Sequence, residues 1–246
     1  MLDILKSVIV WLVGIVYLIL FFPLTFAVWL LTLPFDRERK ITHWVLIWES
    51  VILTWLLPIW KISIEGREKA IMGVTYVIVS NHQSILDILL INRLRYRFKW
   101  ISKIENMKKP VLGWYLRMAD YIIVDRGNKE SKEEMMEKSY QCLKRGTSIM
   151  MFPEGTRSAD REIGFFKRGA FQLAINAHVP ILPVVLDGSG GILPKHGLIF
   201  STGHIIKIRV FDPVPPESFN TDDPDILSVK FSNFMIEALK ELRCKS

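Results

Sequence analysis

At 246 residues the chain is long enough to bury a sizeable core in one or two domains. Half of its residues are hydrophobic, its formal net charge is +7, and its two cysteines, Cys142 and Cys244, form no C-x2-C pair. That cysteine usage argues against a disulfide scaffold and against a zinc site, and fits a reducing compartment.

The first element is apolar. Ser7 to Phe35 is a run of 29 residues without a charge, long enough to cross a bilayer core. A second apolar stretch, Ile41 to Trp60, carries His43 and Glu49 and is interrupted by Pro58. The first run is too long for a signal peptide, and no small-residue cleavage site precedes the polar part. A hairpin buried in a soluble core is the competing reading. The tryptophans favour a membrane interface instead, because Trp11, Trp29, Trp44, Trp48 and Trp55 fall in this part and Trp60 closes it. Two full spans would put Arg37, Arg39 and Lys40 of the connector on the outer side, against the positive-inside tendency. Pro23 is placed to kink the first run. A hairpin dipping into the cytoplasmic leaflet and returning fits these charges better. The expected organisation is a membrane-associated helical hairpin over 1–60 and an α/β domain over 61–246.

Residues 1–60 carry four basic and four acidic side chains, so the whole excess of +7 belongs to the remainder. It concentrates in Arg93, Arg95, Arg97, Lys99, Lys103, Lys108 and Lys109, against the single Glu105. Beside a membrane anchor such a stretch points to anionic lipid headgroups, at about 1 kcal/mol per nearby cation. No nucleic-acid motif is present, so nucleic acid is not the expected partner. A merely solvated face is the plain alternative.

Beyond Lys61 strands and helices alternate. Strands are expected at 61–65, 76–80, 98–102, 121–124, 148–152, 181–186 and 205–211. Helices are expected near 84–94, 110–118, 129–145 (closed by Gly146), 169–177 and 225–242. The Gly188–Gly191 stretch reads as a loop. This is the pattern of an α/β domain on a mixed, largely parallel sheet flanked by helices. In such sheets ligands bind beyond the carboxyl ends of strands, where 81–87 and 153–158 both fall.

The first of these loops contains His82 and Asp87. Five residues apart on one helix they would point about 140° away from each other, so they meet only if His82 precedes the helix and Asp87 lies in its first turn. Two readings fit. They are a catalytic pair, or Ser84-x-x-Asp87 is an ordinary capping box. In the second loop, Glu154-Gly155-Thr156-Arg157 sets a tight turn beside a hydroxyl and a planar fork of donors, which suits a phosphate. A surface turn with a solvated Glu-Arg pair is the alternative.

Asn81-His82-x4-Asp87 together with Phe152-Pro153-Glu154-Gly155-Thr156-Arg157-Ser158 resembles the glycerolipid acyltransferases, specifically the bacterial 1-acylglycerol-3-phosphate acyltransferases. Ile122-Ile-Val-Asp125-Arg126 and Val179-Pro180-Ile-Leu-Pro183-Val184 resemble two further blocks of that family in the same order, so the likeness covers roughly 60–215. It departs at Asp120, where relatives usually have glycine. The resemblance implies transfer of a fatty acyl chain to the sn-2 hydroxyl of lysophosphatidic acid, at the inner, cytoplasmic face of the membrane. Other glycerolipid acceptors, or a membrane lipid-binding role without turnover, are the alternatives. It implies His82 as general base oriented by Asp87. An acceptor-phosphate site is implied at Arg157, Gly155 and Thr156, with Arg126 and Lys103 completing it and Glu154 holding one of these cations. No cofactor or metal is implied. The co-substrate is an acyl-carrier-protein or coenzyme A thioester, both anionic and suited to the basic 93–109 region.

Overall fold

The computed structural model describes residues 2–57, 61–201 and 203–244; Pro58 and Trp60 lie outside them. The apolar N-terminal run forms helix α1 (Leu2–Thr32), with Pro23 inside it. Helix α2 (Lys40–Leu56) follows a short connector. Asp36 starts it, its two carboxylate oxygens each accepting a backbone N–H, from Lys40 and Ile41, at 2.8 Å. By length and composition α1 is long and apolar enough to cross a membrane.

The polar residues of α2 face the rest of the protein. His43 Nδ1 lies 2.8 Å from the Tyr121 hydroxyl, Asn92 Nδ2 donates to Ser50 Oγ at 2.8 Å, and Arg93 Nη1 donates to Thr54 Oγ1 at 3.0 Å. Glu49 accepts the Thr25 hydroxyl of α1. What looks in sequence like interruptions of an apolar stretch is therefore a docking face, satisfied by partners because buried polar groups left alone are costly. One side of α1 has no such cover. Ile4, Leu12, Ile15, Ile19, Leu24 and Leu31 stand exposed along it.

The remainder is a seven-stranded sheet. Its strands are β1 (Lys61–Glu65), β2 (Val77–Ser80), β3 (Phe98–Lys103), β4 (Ile122–Val124), β5 (Ser148–Met151), β6 (Ile181–Asp187) and β7 (Ile205–Val210), in the order β1-β7-β6-β2-β5-β3-β4. Every pairing is parallel except β6 with β7. The helices are α3 (Asp87–Asn92), α4 (Leu112–Met118), α5 (Lys129–Lys144), α6 (Gly169–Ala177), α7 (Ser189–Ile192) and α8 (Pro224–Cys244). All four residues of central β2 are buried, which is why it reads as a continuous apolar run. Alternate side chains go to opposite faces. Val77 and Val79 join Ile149, Phe171, Leu173 and Phe231 under α5, α6 and α8. Ile78 joins Leu90, Phe98, Trp100 and Met150 on the other side.

Three local differences from the sequence expectations have physical causes. Helix α3 begins at Asp87 rather than at 84, because Ser84 donates its hydroxyl to the Leu193 carbonyl at 2.7 Å and the chain turns before winding. The Gly188–Gly191 segment is not wholly loop: a one-turn helix starts at Ser189. Gly188 permits it with φ 93°, at a place where a Cβ would collide with the Ile205 carbonyl. The basic residues after Arg93 do not form one surface. Arg93 grips α2, Arg95 lies 4.5 Å over the Trp48 ring, Arg97 donates to the Gly146 carbonyl, and Lys99 is buried.

Lys99 explains Asp120. That residue has φ 51°, a left-handed conformation that glycine adopts freely and aspartate tolerates better than most. Its carboxylate lies 2.5 Å from Lys99 Nζ, and its carbonyl accepts from the same ammonium at 2.9 Å. Asp120→Gly removes the backbone strain and one partner of Lys99 together, so thermal melting is expected near that of wild type. Asp120→Val puts a β-branched residue at positive φ and should cost roughly 1–3 kcal/mol, several degrees of melting temperature. Equal melting of the two variants would show that φ has no part in the choice.

Candidate active site

Strands β2 and β5 are hydrogen-bonded neighbours, with Val77 opposite Ile149, so the loops leaving their carboxyl ends emerge side by side. The two loops are then tied through main chain. Ser158 N–H donates to the His82 carbonyl at 2.7 Å, and His82 N–H donates to Glu154 Oε1 at 2.8 Å. The other oxygen of Glu154 accepts the Gly164 N–H at 3.1 Å. Burial pushes the Glu154 carboxyl above its ordinary pKa, opposed by these two bonds. Glu154 thus fastens backbone in the structure, where the sequence reading had it holding a cation.

His82 Nδ1 sits 2.8 Å from Asp87 Oδ2. The same oxygen accepts the N–H groups of Gln83 at 2.7 Å and Ser84 at 2.9 Å. Asp87 is fully buried, and its Oδ1 has no partner. The geometry of Asp87 is compatible with both sequence readings: it caps the turn and it holds the imidazole. With Nδ1 directed at a carboxylate, Nε2 is the nitrogen left to work. The ring itself is stacked on Phe152, centroids 3.9 Å apart and planes within 8°, with Trp100 behind Phe152 at 5.5 Å. Packing on a face and a hydrogen bond at an edge leave the imidazole one orientation.

His82 opens on a cavity of about 1180 Å³, somewhat above the usual size of small-molecule sites. Near the histidine its wall includes Lys103, Arg126, Phe152, Pro153, Gly155 and Lys167; further off it passes between α5 and α6, past Met135, Met136, Tyr140 and Leu173. The lining combines apolar side chains (Ile101, Val124, Met151) with cations, and also carries Glu133 and Glu137. Lys103 is paired with Glu105 at 2.7 Å. Arg126 donates Nη1 to the Gly155 carbonyl, and partial desolvation draws its pKa down although the residue remains exposed. Gly155 has φ 72°, which a side chain would strain.

Of the residues expected at the phosphate, the structure brings Lys103, Arg126 and Gly155 to the cavity with His82. Glu154, Thr156 and Arg157 do not line it. Two contributors went unremarked in the sequence. Gln83 Nε2 bridges the Arg161 carbonyl at 3.1 Å and Asp187 Oδ1 at 3.2 Å, bracing the position next to the histidine. Lys167 lies at the turn before α6, and its only sequence signal is a basic pair, Lys167-Arg168, ahead of a helix start.

The acyltransferase family model matches residues 61–187, which carry both loops and six of the seven strands. A chloroplastic 1-acyl-sn-glycerol-3-phosphate acyltransferase of Brassica napus is 38% identical over 165 residues, 66% of this chain and 47% of its own length. A probable 1-acyl-sn-glycerol-3-phosphate acyltransferase of Mycoplasma genitalium is 33% identical over 184 residues, 70% of this chain and 68% of the relative. The chain thus spans about half the length of the plant relative it matches. Its fold is that of the crystal structure of the 1-acyl-sn-glycerophosphate acyltransferase PlsC from Thermotoga maritima, with a TM-score of 0.80 at 24% identity, over 98% of this chain and 96% of that one. On the extent of the family match and the coverage of the Mycoplasma relative, the chain belongs to the acyltransferase family.

Proposed function

We propose that the protein is a 1-acyl-sn-glycerol-3-phosphate acyltransferase, moving a fatty acyl group from a thioester to the sn-2 hydroxyl of lysophosphatidic acid. The observation that carries the reading is the oriented His82–Asp87 pair on a cavity that is lined by apolar side chains and several cations. The named relatives support the choice of acceptor.

In the proposed reaction His82 Nε2 takes the proton of the acceptor hydroxyl as its oxygen attacks the thioester carbonyl. Asp87 keeps the proton on Nδ1 and stabilises the imidazolium that forms. Collapse of the tetrahedral species breaks the carbon–sulfur bond, and the thiolate takes the proton back from His82. No protein nucleophile is needed, since the acceptor supplies the attacking oxygen. The donor is an acyl-carrier-protein or coenzyme A thioester, whose acyl chain suits the apolar part of the lining, Ile101, Val124, Met135, Met136, Met151 and Leu173. Lys103 and Arg126 face the acceptor phosphate.

The same reading puts the protein on one face of the membrane. Ser7 and Trp11, near the start of α1, bond to the main chain of Phe200 and Leu198 at 2.8 and 2.9 Å. Glu38, in the connector, accepts from the Thr147 hydroxyl at 3.3 Å. The start of α1 and the connector that follows it thus both touch the α/β body, which favours a hairpin immersed in a single leaflet through the exposed side of α1. Single cysteines placed at Lys6 and Arg39 should both be labelled by an impermeant thiol reagent from the side bearing the α/β body. Labelling of Arg39→Cys only from the opposite side would establish two full spans.

The acceptor is tested by comparing initial rates of purified protein with lysophosphatidic acid, glycerol-3-phosphate and lysophosphatidylcholine. Lysophosphatidic acid should lead by at least tenfold in kcat/KM. Transfer to lysophosphatidylcholine at an equal rate would make the headgroup irrelevant, and absence of transfer to any acceptor would favour a binding protein.

A further inference from the structure

Lys167 lies outside both motif loops, yet the fold delivers its ammonium to one of them. Its backbone N–H donates to the Pro153 carbonyl at 2.9 Å, which fixes the turn before α6 against the glutamate-glycine loop. Its side chain then lies across Gly155. A Cβ built on that glycine would stand 2.8 Å from Lys167 Nζ and 3.2 Å from its Cε, so the ammonium occupies the space that a side chain at 155 would fill. Arg126 reaches the same residue from the other side through its bond to the Gly155 carbonyl. Two cations thus converge on one glycine, on the cavity wall that also carries His82. Their fates differ. Arg126 also bonds backbone, and Lys103 is shared with Glu105 in an exposed ion pair at 2.7 Å. Lys167 is exposed and, among the described residues, is in no ion pair.

We propose that Lys167 binds the phosphate of the lysophosphatidic acid acceptor, between Arg126 and the Gly155 main chain. The proposal rests on the acyltransferase reading above and specifies its phosphate site. The chemistry of the two substrates decides between them. In the acceptor, the attacking sn-2 oxygen is separated from phosphorus by two carbons and one oxygen, a reach of about 5 Å at ~1.5 Å per bond. An acceptor with its hydroxyl on His82 must therefore place its phosphate next to the histidine. In the donor, the nearest phosphate stands at the far end of a pantetheine arm, many bonds from the thioester carbon. Gly155 lies one residue from Glu154, whose carboxylate holds the His82 N–H, and three from Phe152, on which the imidazole stacks. The cluster at Gly155 thus belongs to the loop that holds His82 and shares its cavity wall. A phosphomonoester dianion also suits a free ammonium, which binds as a point charge without needing the fixed fork of an arginine. Gly169 and Ala170, the first residues of α6, line the same wall, so the positive end of that helix adds to the field.

The test is a split of Michaelis constants on the full-length protein. Lys167→Ala should raise KM for lysophosphatidic acid by tenfold or more, with kcat and the thioester KM changed less than twofold. Lys167→Arg should recover most of the loss, since the charge is kept. A monoacylglycerol, which has no phosphate, should be acylated slowly and equally by wild type and Lys167→Ala. Because Lys167 is exposed, both variants should melt with wild type. A rise in the thioester KM alone would overturn the proposal by assigning the ammonium to the donor's phosphate. No change in either constant would overturn it by leaving Lys167 a solvated cation. Failure of the acyltransferase reading itself is seen separately, in wild-type protein that makes no phosphatidic acid.

Discussion

Replacing His82 by alanine is expected to lower the rate of acyl transfer by 10²–10⁴-fold, the usual contribution of a general base. The upper part of that range applies here, because the two carboxylates bonded to His82 are committed. Asp87 is buried under three hydrogen bonds, and Glu154 holds two backbone N–H groups. The fold should survive. The His82 side chain is largely buried, but its backbone N–H and carbonyl, which tie the two loops together, remain in the alanine variant. The loss should appear in kcat and kcat/KM alike, with the thioester KM little changed, since the imidazole acts on the proton in transit. Retention of more than a tenth of the wild-type rate in a protein of unchanged melting temperature would remove His82 from the mechanism.

Asp87→Asn is the second large effect, and it separates the two tasks of that residue. Asparagine has the same shape. Its carbonyl oxygen can take the place of Oδ2 and accept the same three bonds, while its amide nitrogen takes the place of Oδ1, where no partner is present. Capping should be conserved, with a stability loss of about 1–3 kcal/mol from the unpaired buried amide. The negative charge is gone, so the imidazolium formed during attack loses its stabilising neighbour, and the rate is expected to drop by at least 10²-fold. Asp87→Ala should lose both tasks, unfolding more easily as well as turning over slowly, because the buried N–H groups of Gln83 and Ser84 are left unpaired. If Asp87→Asn keeps full turnover, the carboxylate is only a cap.

These two residues were legible because their relation is local. Five positions separate them, and a turn running into a helix is enough to bring them together. The sheet was legible for a similar reason: Val77–Ser80 and Ile181–Asp187 are short apolar runs bounded by turn residues, as buried parallel strands must be. Glu154 could be located but not understood, since its partners are the main-chain N–H groups of His82 and Gly164, which no side-chain pattern reveals. Lys167 was missed because its approach to Gly155 follows from a single backbone bond to Pro153. Asp120 looked like a departure whose effect was open. Its positive φ and its grip on Lys99 belong to tertiary structure. The cations from Arg93 to Lys109 looked like a patch only because sequence hides the direction of a strand. Lys99 and Lys103 lie on one strand, and the first is buried while the second stands on the rim of the cavity.

In the proposed reaction the acyl group passes directly from a thioester to the sn-2 oxygen of lysophosphatidic acid, with His82 moving the proton. Its most direct test is to follow an acyl thioester labelled with ¹³C in the acyl chain. Purified protein in mixed micelles is incubated with that donor and 1-acylglycerol-3-phosphate, and products and protein are examined by mass spectrometry. Direct transfer puts label in the sn-2 ester of phosphatidic acid, releases one thiol per ester formed, and leaves no label on the protein when the acceptor is withheld. Label recovered as free fatty acid, or on a protein side chain before acceptor is added, would contradict it.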